Sequence, residues 1–180
     1  RKPVLAKGTS FRFGIFTSMR NVLFVCTANS ARSVLGEAIL RHLGQGDYAT
    51  FSAGSTPRGM INPDALTCLE RHGLSTEGFR SKSWEEFSGA DAPKMDLIVT
   101  VCDSAAGEAC PIWPGHPMVV HWGIPDPASV DGDDAERGAA FDLAYERMQR
   151  RIERFLSLPD NALSSSDAKS KISAIGNIED

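Results

Sequence analysis

The sequence predicts a doubly wound α/β fold in which a four-stranded parallel sheet carries helices on both faces. Short apolar runs of strand length alternate along the chain with segments whose apolar residues recur at helical spacing. The runs are apolar throughout, which is typical of parallel strands that are buried on both faces. Reactive or charged side chains follow three of these runs, and ligands bind at the carboxyl ends of the strands in such sheets.

The first half of the chain contains two predicted strands, each followed by a helix. The strands are "NVLFVC", residues 21–26, and "ATFSAGS", residues 49–55. The first helix ends at Gly44, and the second, "NPDALTCLERHG", has Pro63 in its first turn and Gly73 at its end. The apolar face of the first helix consists of Val34, Leu35, Ala38, Ile39 and Leu43.

The second half continues the alternation. In "SKSWEEF", Ser83 and Glu86 have the spacing of a capping box, which predicts the start of a short helix. The third strand is "KMDLIVTVCD", residues 94–103, and the fourth lies in "PMVVHWGIPDP", residues 117–127. A long amphipathic helix follows from about Asp133 to Leu156, because its apolar residues repeat at steps of three and four.

Composition limits the function classes. The chain has 180 residues, 42% of them apolar, and a net charge of −4, which fits one globular domain with a substantial core. No apolar run has the length of a membrane span, and the mild acidity argues against nucleic acid or anionic lipid as a partner. The cysteines are Cys26, Cys68, Cys102 and Cys110. Without a secretory leader they indicate reactive or buried thiols in the cytoplasm.

We divide the chain into three parts. Residues 1–18 are interpreted as an N-terminal extension, 19–158 as the catalytic domain and 159–180 as a C-terminal tail. In the tail, three apolar residues at helical spacing before a glycine predict a short docking helix. These residues are Ala168, Ile172 and Ile175.

The loop "CTANSARS" connects the first strand to the first helix and is suited to holding an anion. Backbone N–H groups in such a loop turn inward, and the helix dipole adds positive charge. Asn29 tolerates the left-handed backbone conformation that this curl needs. Arg32 can offer a planar fork to two oxygens of a tetrahedral anion, and Ser33 can donate to the sulfur of Cys26. The predicted oxyanion-binding loop comprises Thr27, Ala28, Asn29, Ser30, Ala31 and Arg32.

These surroundings predict a nucleophilic Cys26. Positive charge and hydrogen-bond donors lower the pKa of a cysteine from about 8.5 to between about 3.5 and 7.5. Cys102 and Asp126 follow the third and fourth strands, so both are expected near Cys26. If the first and third strands are neighbours, their ends lie about 5 Å apart, close enough for a disulfide. The segment "DSAAGEA" between Cys102 and Cys110 has small residues and Gly107 as a hinge, and it is expected to rearrange once a disulfide forms.

Two motifs resemble those of a known family. Cys26 to Ser33 matches the CxxxxxRS loop of the low-molecular-weight tyrosine phosphatases, and Asp126 with Pro127 matches their acid loop. More closely, "VCTANSARS", "FRSKSWEEF", "VTVCDSAAGEACPIWPG" and "HWGIPDPA" resemble the arsenate reductases built on that phosphatase fold. The resemblance runs from about Met19 to Leu158 and implies a low-molecular-weight tyrosine phosphatase-like fold.

The resemblance also implies a reaction. Cys26 would attack arsenate while Asp126 protonates the departing oxygen, and Cys102 would then attack the sulfur of Cys26 and expel arsenite. Cys110 would take over the disulfide and present it to thioredoxin; a glutaredoxin with a small thiol is the other donor. Phosphate and sulfate would act as mimics of arsenate.

Two alternatives remain open from the sequence. A phosphatase of this fold would use Cys26 alone, and a redox sensor would bind an oxyanion without turnover. Two departures favour a small oxyanion over phosphotyrosine. Ala31 stands where these phosphatases usually carry a second cysteine, and "DPASVDG" lacks the aromatic residues that would grip a tyrosine ring.

Further residues receive structural interpretations. Cys68 is interpreted as core filling within its helix. His116 and His121 lack the paired spacing of zinc ligands, so we predict no metal site and no tightly bound cofactor. One exception follows from the resemblance, since residues at three positions correspond to those where some related reductases hold potassium. These are Asn29, Glu37 and Ser52.

Overall fold

The fold was obtained as a computed structural model that describes residues 19–108 and 111–178. It contains one parallel sheet of four strands in the order β2-β1-β3-β4, which confirms the predicted fold class. The strands are β1 (Arg20–Cys26), β2 (Tyr48–Gly54), β3 (Leu97–Thr100) and β4 (Met118–His121). The predicted extension, residues 1–18, and Cys110 lie outside the described residues.

The helices of the described residues are α1 (Arg32–Leu43), α2 (Pro63–Arg71), α3 (Asp103–Gly107), α4 (Asp134–Leu156) and α5 (Ala168–Ile175). Helix α1 packs against β1, β2 and α4, while α2 packs on α4 and α5 contacts β4. None of these helices is long and apolar enough to cross a membrane.

The central strand is covered on both faces. Val22, Leu23, Phe24 and Val25 of β1 are all fully buried, although successive strand residues point to opposite faces. Helix α1 approaches the sheet closely, because a Cβ atom at Gly36 would lie 2.5 Å from the ring of Phe24. This contact fixes the helix that begins directly after the loop at the carboxyl end of β1.

The tail helix α5 forms where the apolar spacing predicted it. Ala168, Ile172 and Ile175 are buried, and Trp122 Nε1 donates a hydrogen bond of 2.9 Å to the carbonyl of Ile172. The helix therefore packs beside the end of β4, and its indole contact lies four residues before Asp126 in the chain.

Two local predictions were wrong in detail. Ser83 accepts from the amide of Glu85 and precedes a 3₁₀ turn, so the expected capping box does not form there. A capping box forms instead at Asp133, which exchanges hydrogen bonds with Glu136 at the start of α4. The third strand was predicted over residues 94–103, but β3 ends at Thr100 and Asp103 already begins α3, a helix of five residues.

Candidate active site

The loop between β1 and α1 curls around the sulfur of Cys26. Asn29 has φ of 43°, the predicted left-handed conformation. Its buried side chain donates to Ser33 Oγ at 2.9 Å and Ser52 Oγ at 3.0 Å, and its Oδ1 accepts from the amide of Lys82 at 2.8 Å. These hydrogen bonds join the loop to α1, to β2 and to the segment before the 3₁₀ turn, so the curl is held from three sides.

The sulfur of Cys26 is surrounded by hydrogen-bonding groups but shielded from water. Its Sγ lies 3.0 Å from Ser33 Oγ and accepts from the amide of Asn29 at 3.2 Å. Burial raises the pKa of the Cys26 thiol, and the hydrogen bonds from Ser33 and Asn29 offset this only in part. The predicted lowering of this pKa is therefore wrong, because desolvation of the thiolate outweighs the donors.

Arg32 points at the acid loop. Its Nη2 lies 3.2 Å from Asp126 Oδ2, and its Nη1 donates to the carbonyl of Ile124 at 3.1 Å. Asp126 also caps a 3₁₀ turn, accepting from the amide of Ala128 at 3.1 Å. An anion that uses the guanidinium fork must therefore replace Asp126 as its partner, which leaves the carboxyl group at the rim of the site.

Three of the predicted residues line one cavity. Cys26, Arg32 and Asp126 border a space of about 280 Å³ above the loop, and Arg58 also lines it. Arg58 was not singled out from the sequence, although its position just after β2 places it at the carboxyl edge of the sheet. It adds a second guanidinium to a site that already has one, which favours an anionic ligand.

Cys102 lies next to this cavity. Strand β3 neighbours β1 as expected, and Cys102 follows two residues after Thr100, which pairs with Val25. Its buried Sγ accepts from the amide of Ala105 at 3.4 Å and lies 3.6 Å from Thr27 Oγ1 within the loop. The thiol of Cys102 is also close enough to Cys26 to act on its pKa.

A second cavity lies between Cys102 and Arg32. It measures about 340 Å³ and is lined by both Cys102 and Arg32. Asp103, at the start of α3, accepts from His121 Nε2 at 3.0 Å, and His121 Nδ1 lies 2.8 Å from Thr100 Oγ1. His121 therefore ties α3 to the sheet, and any movement of the segment after Cys102 must release this contact.

A buried ion pair lies behind the loop. Glu37 Oε2 accepts from Ser52 Oγ at 2.5 Å and lies 3.8 Å from Lys82 Nζ, while Arg41 Nη2 lies 2.5 Å from Glu37 Oε1. Burial raises the pKa of Glu37 and lowers the pKa of Lys82, and their mutual attraction acts against both shifts. Asn29, Glu37 and Ser52, the residues expected at a potassium position, do converge here, but the ammonium group of Lys82 already faces the carboxylate.

Gly54, the last residue of β2, allows the loop to approach the sheet. A Cβ atom there would meet the carbonyl of Thr27 and lie 2.9 Å from the amide nitrogen of Asn29. We expect Gly54→Ala to weaken phosphate binding about tenfold, because displacing one or two loop donors removes about 1.4 kcal/mol. Isothermal titration calorimetry with inorganic phosphate measures this change.

Gly89→Ala is the matched control for that variant, since no atom lies within 4 Å of a Cβ placed there. It is expected to bind phosphate like the parent chain. Equal phosphate affinities of the Gly54 and Gly89 variants would contradict the role given to the loop.

The structure thus brings together five of the six residues predicted to do chemistry; the sixth, Cys110, is not among the described residues. The five are Cys26, Arg32, Ser33, Asp126 and Cys102. The described cysteines Cys26, Cys68 and Cys102 are free and buried. A buried nucleophile, a second thiol beside it, two guanidinium groups and a carboxyl group form a site that can bind an oxyanion and exchange disulfides.

Comparisons with known proteins identify relatives of this chain. The model of the low molecular weight phosphotyrosine protein phosphatase family matches residues 21–166. An arsenate reductase from Bacillus licheniformis is 33% identical over 143 residues, which cover 77% of this chain and 96% of the relative.

Solved structures of arsenate reductases are also similar to this chain. An arsenate reductase in the phosphate-binding state superposes with a TM-score of 0.60 at 26% identity, covering 77% of this chain and 98% of the other. A thioredoxin-dependent arsenate reductase from Corynebacterium glutamicum superposes with a TM-score of 0.53 at 23% identity, covering 80% of this chain and 66% of the other. The second similarity shows the fold alone.

Proposed function

Because the chain belongs to the low molecular weight phosphotyrosine protein phosphatase family and is related to bacterial arsenate reductases, we propose that it reduces arsenate to arsenite. One observation carries the choice of reduction over hydrolysis. A second buried thiol, Cys102, lies 3.6 Å from the Thr27 hydroxyl of the loop that encloses Cys26. Hydrolysis of a phosphocysteine needs no such thiol, whereas reduction needs a second sulfur to accept the disulfide.

The first step is displacement at arsenic. Arsenate enters the loop and replaces Asp126 as the ion-pair partner of Arg32. Its oxygens then accept hydrogen bonds from the backbone amides of the loop. The thiolate of Cys26 forms a sulfur–arsenic bond, and one oxygen leaves as water after receiving a proton from Asp126. Arsenic is still in its pentavalent state in this adduct.

The second step transfers electrons. The thiolate of Cys102 attacks Cys26 Sγ, the sulfur–arsenic bond breaks, and its electron pair stays with arsenic. Arsenic leaves as trivalent arsenite, and the two cysteines have become a disulfide. The burial that raises the pKa of the Cys26 thiol opposes loss of its proton, and the hydrogen bonds from Ser33 and from the Asn29 amide stabilise the thiolate in part.

A thiol donor must then reduce the disulfide. We propose that Cys110 attacks Cys102 and carries the disulfide outward, and that thioredoxin reduces it. Thioredoxin is the donor that the resemblance to the arsenate reductases implies, and a glutaredoxin with a small thiol is the alternative donor. The described cysteines are free thiols, as is typical of proteins in a reducing compartment, and we propose that the chain acts in the cytoplasm.

A coupled assay tests the proposal. Arsenate added to the chain with thioredoxin, thioredoxin reductase and NADPH is expected to consume NADPH in many cycles per chain, and phosphate is expected to compete. Fast hydrolysis of a phosphotyrosine ester without arsenate-dependent NADPH loss would identify a phosphatase. Oxidation of one pair of thiols without turnover would identify a redox sensor.

We further propose that Lys82 supplies the positive charge that potassium gives to some related reductases. Its Nζ lies 3.8 Å from Glu37 Oε2 and both groups are buried, so a cation at Glu37 would be opposed by the ammonium charge. Arsenate reduction is therefore expected to run equally well in sodium and potassium salts.

Lys82→Met is expected to slow arsenate reduction about tenfold or more, because it leaves the Glu37 carboxyl behind the loop without its buried partner. Added potassium is expected to restore part of the rate in this variant. Coupled rates measured in potassium and in sodium chloride at equal ionic strength test both statements. A parent chain that requires potassium would contradict the assignment, and Lys94→Met, an exposed lysine, is the control.

A further inference from the structure

We propose that Cys68, His72 and Asp142 form a binding site for a divalent cation of the zinc class, separate from the arsenate site. The three side chains offer one sulfur, one nitrogen and one oxygen ligand, and these atoms all lie within 4.8 Å of one another. Cys68 and His72 stand four residues apart at the end of α2, so both lie on one side of that helix. Asp142 reaches them from α4.

The distances already approach those of a coordinated ion. Asp142 Oδ1 lies 3.5 Å from Cys68 Sγ and 3.2 Å from His72 Nε2. Zinc bound to sulfur, nitrogen and oxygen at about 2.3, 2.0 and 2.1 Å in tetrahedral geometry would hold these ligand atoms about 3.4 to 3.6 Å apart. A cation could thus enter with small shifts of the side chains, and water would complete the coordination.

The imidazole is also held in place. The ring of His72 stacks on Tyr145 of α4, with centroids 3.7 Å apart and planes 12° from parallel. This contact keeps His72 Nε2 directed at the carboxylate. Cys68 Sγ is buried beneath the two more exposed ligands, so the site is open to solvent on one side only.

Cys68 lies apart from the thiols of the proposed cascade. The two cavities lined by Cys26 and by Cys102 do not include it, which argues against a role in disulfide exchange. A cation bound to Cys68 would replace the thiol proton, which passes to solvent, and would stabilise the thiolate.

Arg71 makes the proposal testable, because its removal is expected to change the cation affinity in one direction only. Its Nη2 lies 2.7 Å from the same Asp142 Oδ1 and also donates to the carbonyl of Gly138 at 3.2 Å. A cation must displace the guanidinium from this oxygen, and Arg71 is exposed enough to swing aside. Removal of Arg71 should therefore tighten cation binding, whereas it would only loosen a cluster whose purpose is to tether α2 to α4.

Cobalt is the probe, because a cobalt–thiolate bond gives a charge-transfer absorption band. The parent for this test is Cys26→Ser/Cys102→Ser/Cys110→Ser, in which Cys68 is the remaining thiol. We expect one Co²⁺ per chain with a sulfur-to-cobalt band, and we expect Zn²⁺ to bleach that band.

Single changes in this parent identify the ligands. Cys68→Ser should abolish the band, His72→Gln should weaken Co²⁺ binding about tenfold or more, and Arg71→Met should tighten it about tenfold. The matched controls are His42→Gln on the exposed side of α1 and Arg80→Met, which removes an exposed arginine paired with Glu86. Neither control should change the affinity.

Several outcomes would overturn the site. They are the absence of a band in the triple variant, a band that survives Cys68→Ser, and weaker binding in Arg71→Met. Circular dichroism of each variant establishes that it is folded, and Arg71→Met tests the proposal even if Cys68→Ser does not fold. Because the parent cannot reduce arsenate, failure here leaves the proposed reductase activity untouched.

Discussion

Cys102→Ser is expected to abolish repeated arsenate turnover while leaving the fold and the loop intact. Serine can still accept the hydrogen bond from the amide of Ala105 that now ends at the Cys102 sulfur, so the start of α3 is preserved. The hydroxyl cannot attack Cys26 Sγ to form a disulfide. The NADPH-coupled rate should therefore fall about a thousandfold or more.

A single-turnover measurement locates the missing step. Without thioredoxin, the parent chain should release one arsenite per chain and lose two thiols. Cys102→Ser should release none, whereas Cys110→Ser should release one arsenite and then stop, because its disulfide stays at the buried pair. Undiminished coupled turnover in Cys102→Ser would exclude the cascade and return the choice to a donor that acts on Cys26 directly.

Asp126→Asn is expected to slow arsenate reduction and to tighten phosphate binding. Asparagine keeps the cap of the turn at Ala128 but carries no acidic proton, so kcat/KM for arsenate should fall about 100-fold to 1,000-fold. Phosphate should bind about threefold to fivefold more tightly, because Arg32 no longer leaves a charged partner at 3.2 Å. Coupled kinetics and calorimetry measure the two effects on one protein sample.

Asp131→Asn, a change of an exposed carboxylate five residues further on, is the control and should alter neither quantity. If turnover of Asp126→Asn stays within about twofold of the parent, Asp126 is not the acid. Weaker phosphate binding in this variant would mean that the carboxyl group supports the anion site in some way other than the ion pair with Arg32.

Two features restrain the groups that are proposed to react. Burial keeps the Cys26 thiol protonated more readily than a free cysteine, while Arg32 is held by Asp126. An oxyanion in the loop is expected to attract Arg32, which would release Asp126 from this ion pair. Burial of Cys26 still opposes its ionisation, so the hydrogen bonds from Ser33 and the Asn29 amide must stabilise the thiolate.

Much of the fold could be predicted because its signals are local. A run of apolar residues is sufficient to identify β1, and the spacing of apolar residues placed the long helix within one residue of α4 (Asp134–Leu156). Asn29 is the same kind of case: a short polar side chain at a sharp curl tolerates positive φ, and the structure has it there. Strand ends and turns were less accurate, as the shorter β3 and the helix α3 show.

The sequence by itself determined the alternation of strands and helices, the loop around Cys26 and the edge of the sheet where Cys102 and Asp126 lie, because these follow from residues near one another in the chain. Only the tertiary structure decided which groups that are distant in the sequence come into contact. The pairs Arg32 with Asp126 and Glu37 with Lys82 join residues 94 and 45 positions apart, and Cys68 with Asp142 joins residues 74 apart. The tertiary structure also decided that the pKa of Cys26 is raised, since this shift depends on how completely the folded chain removes water from the sulfur.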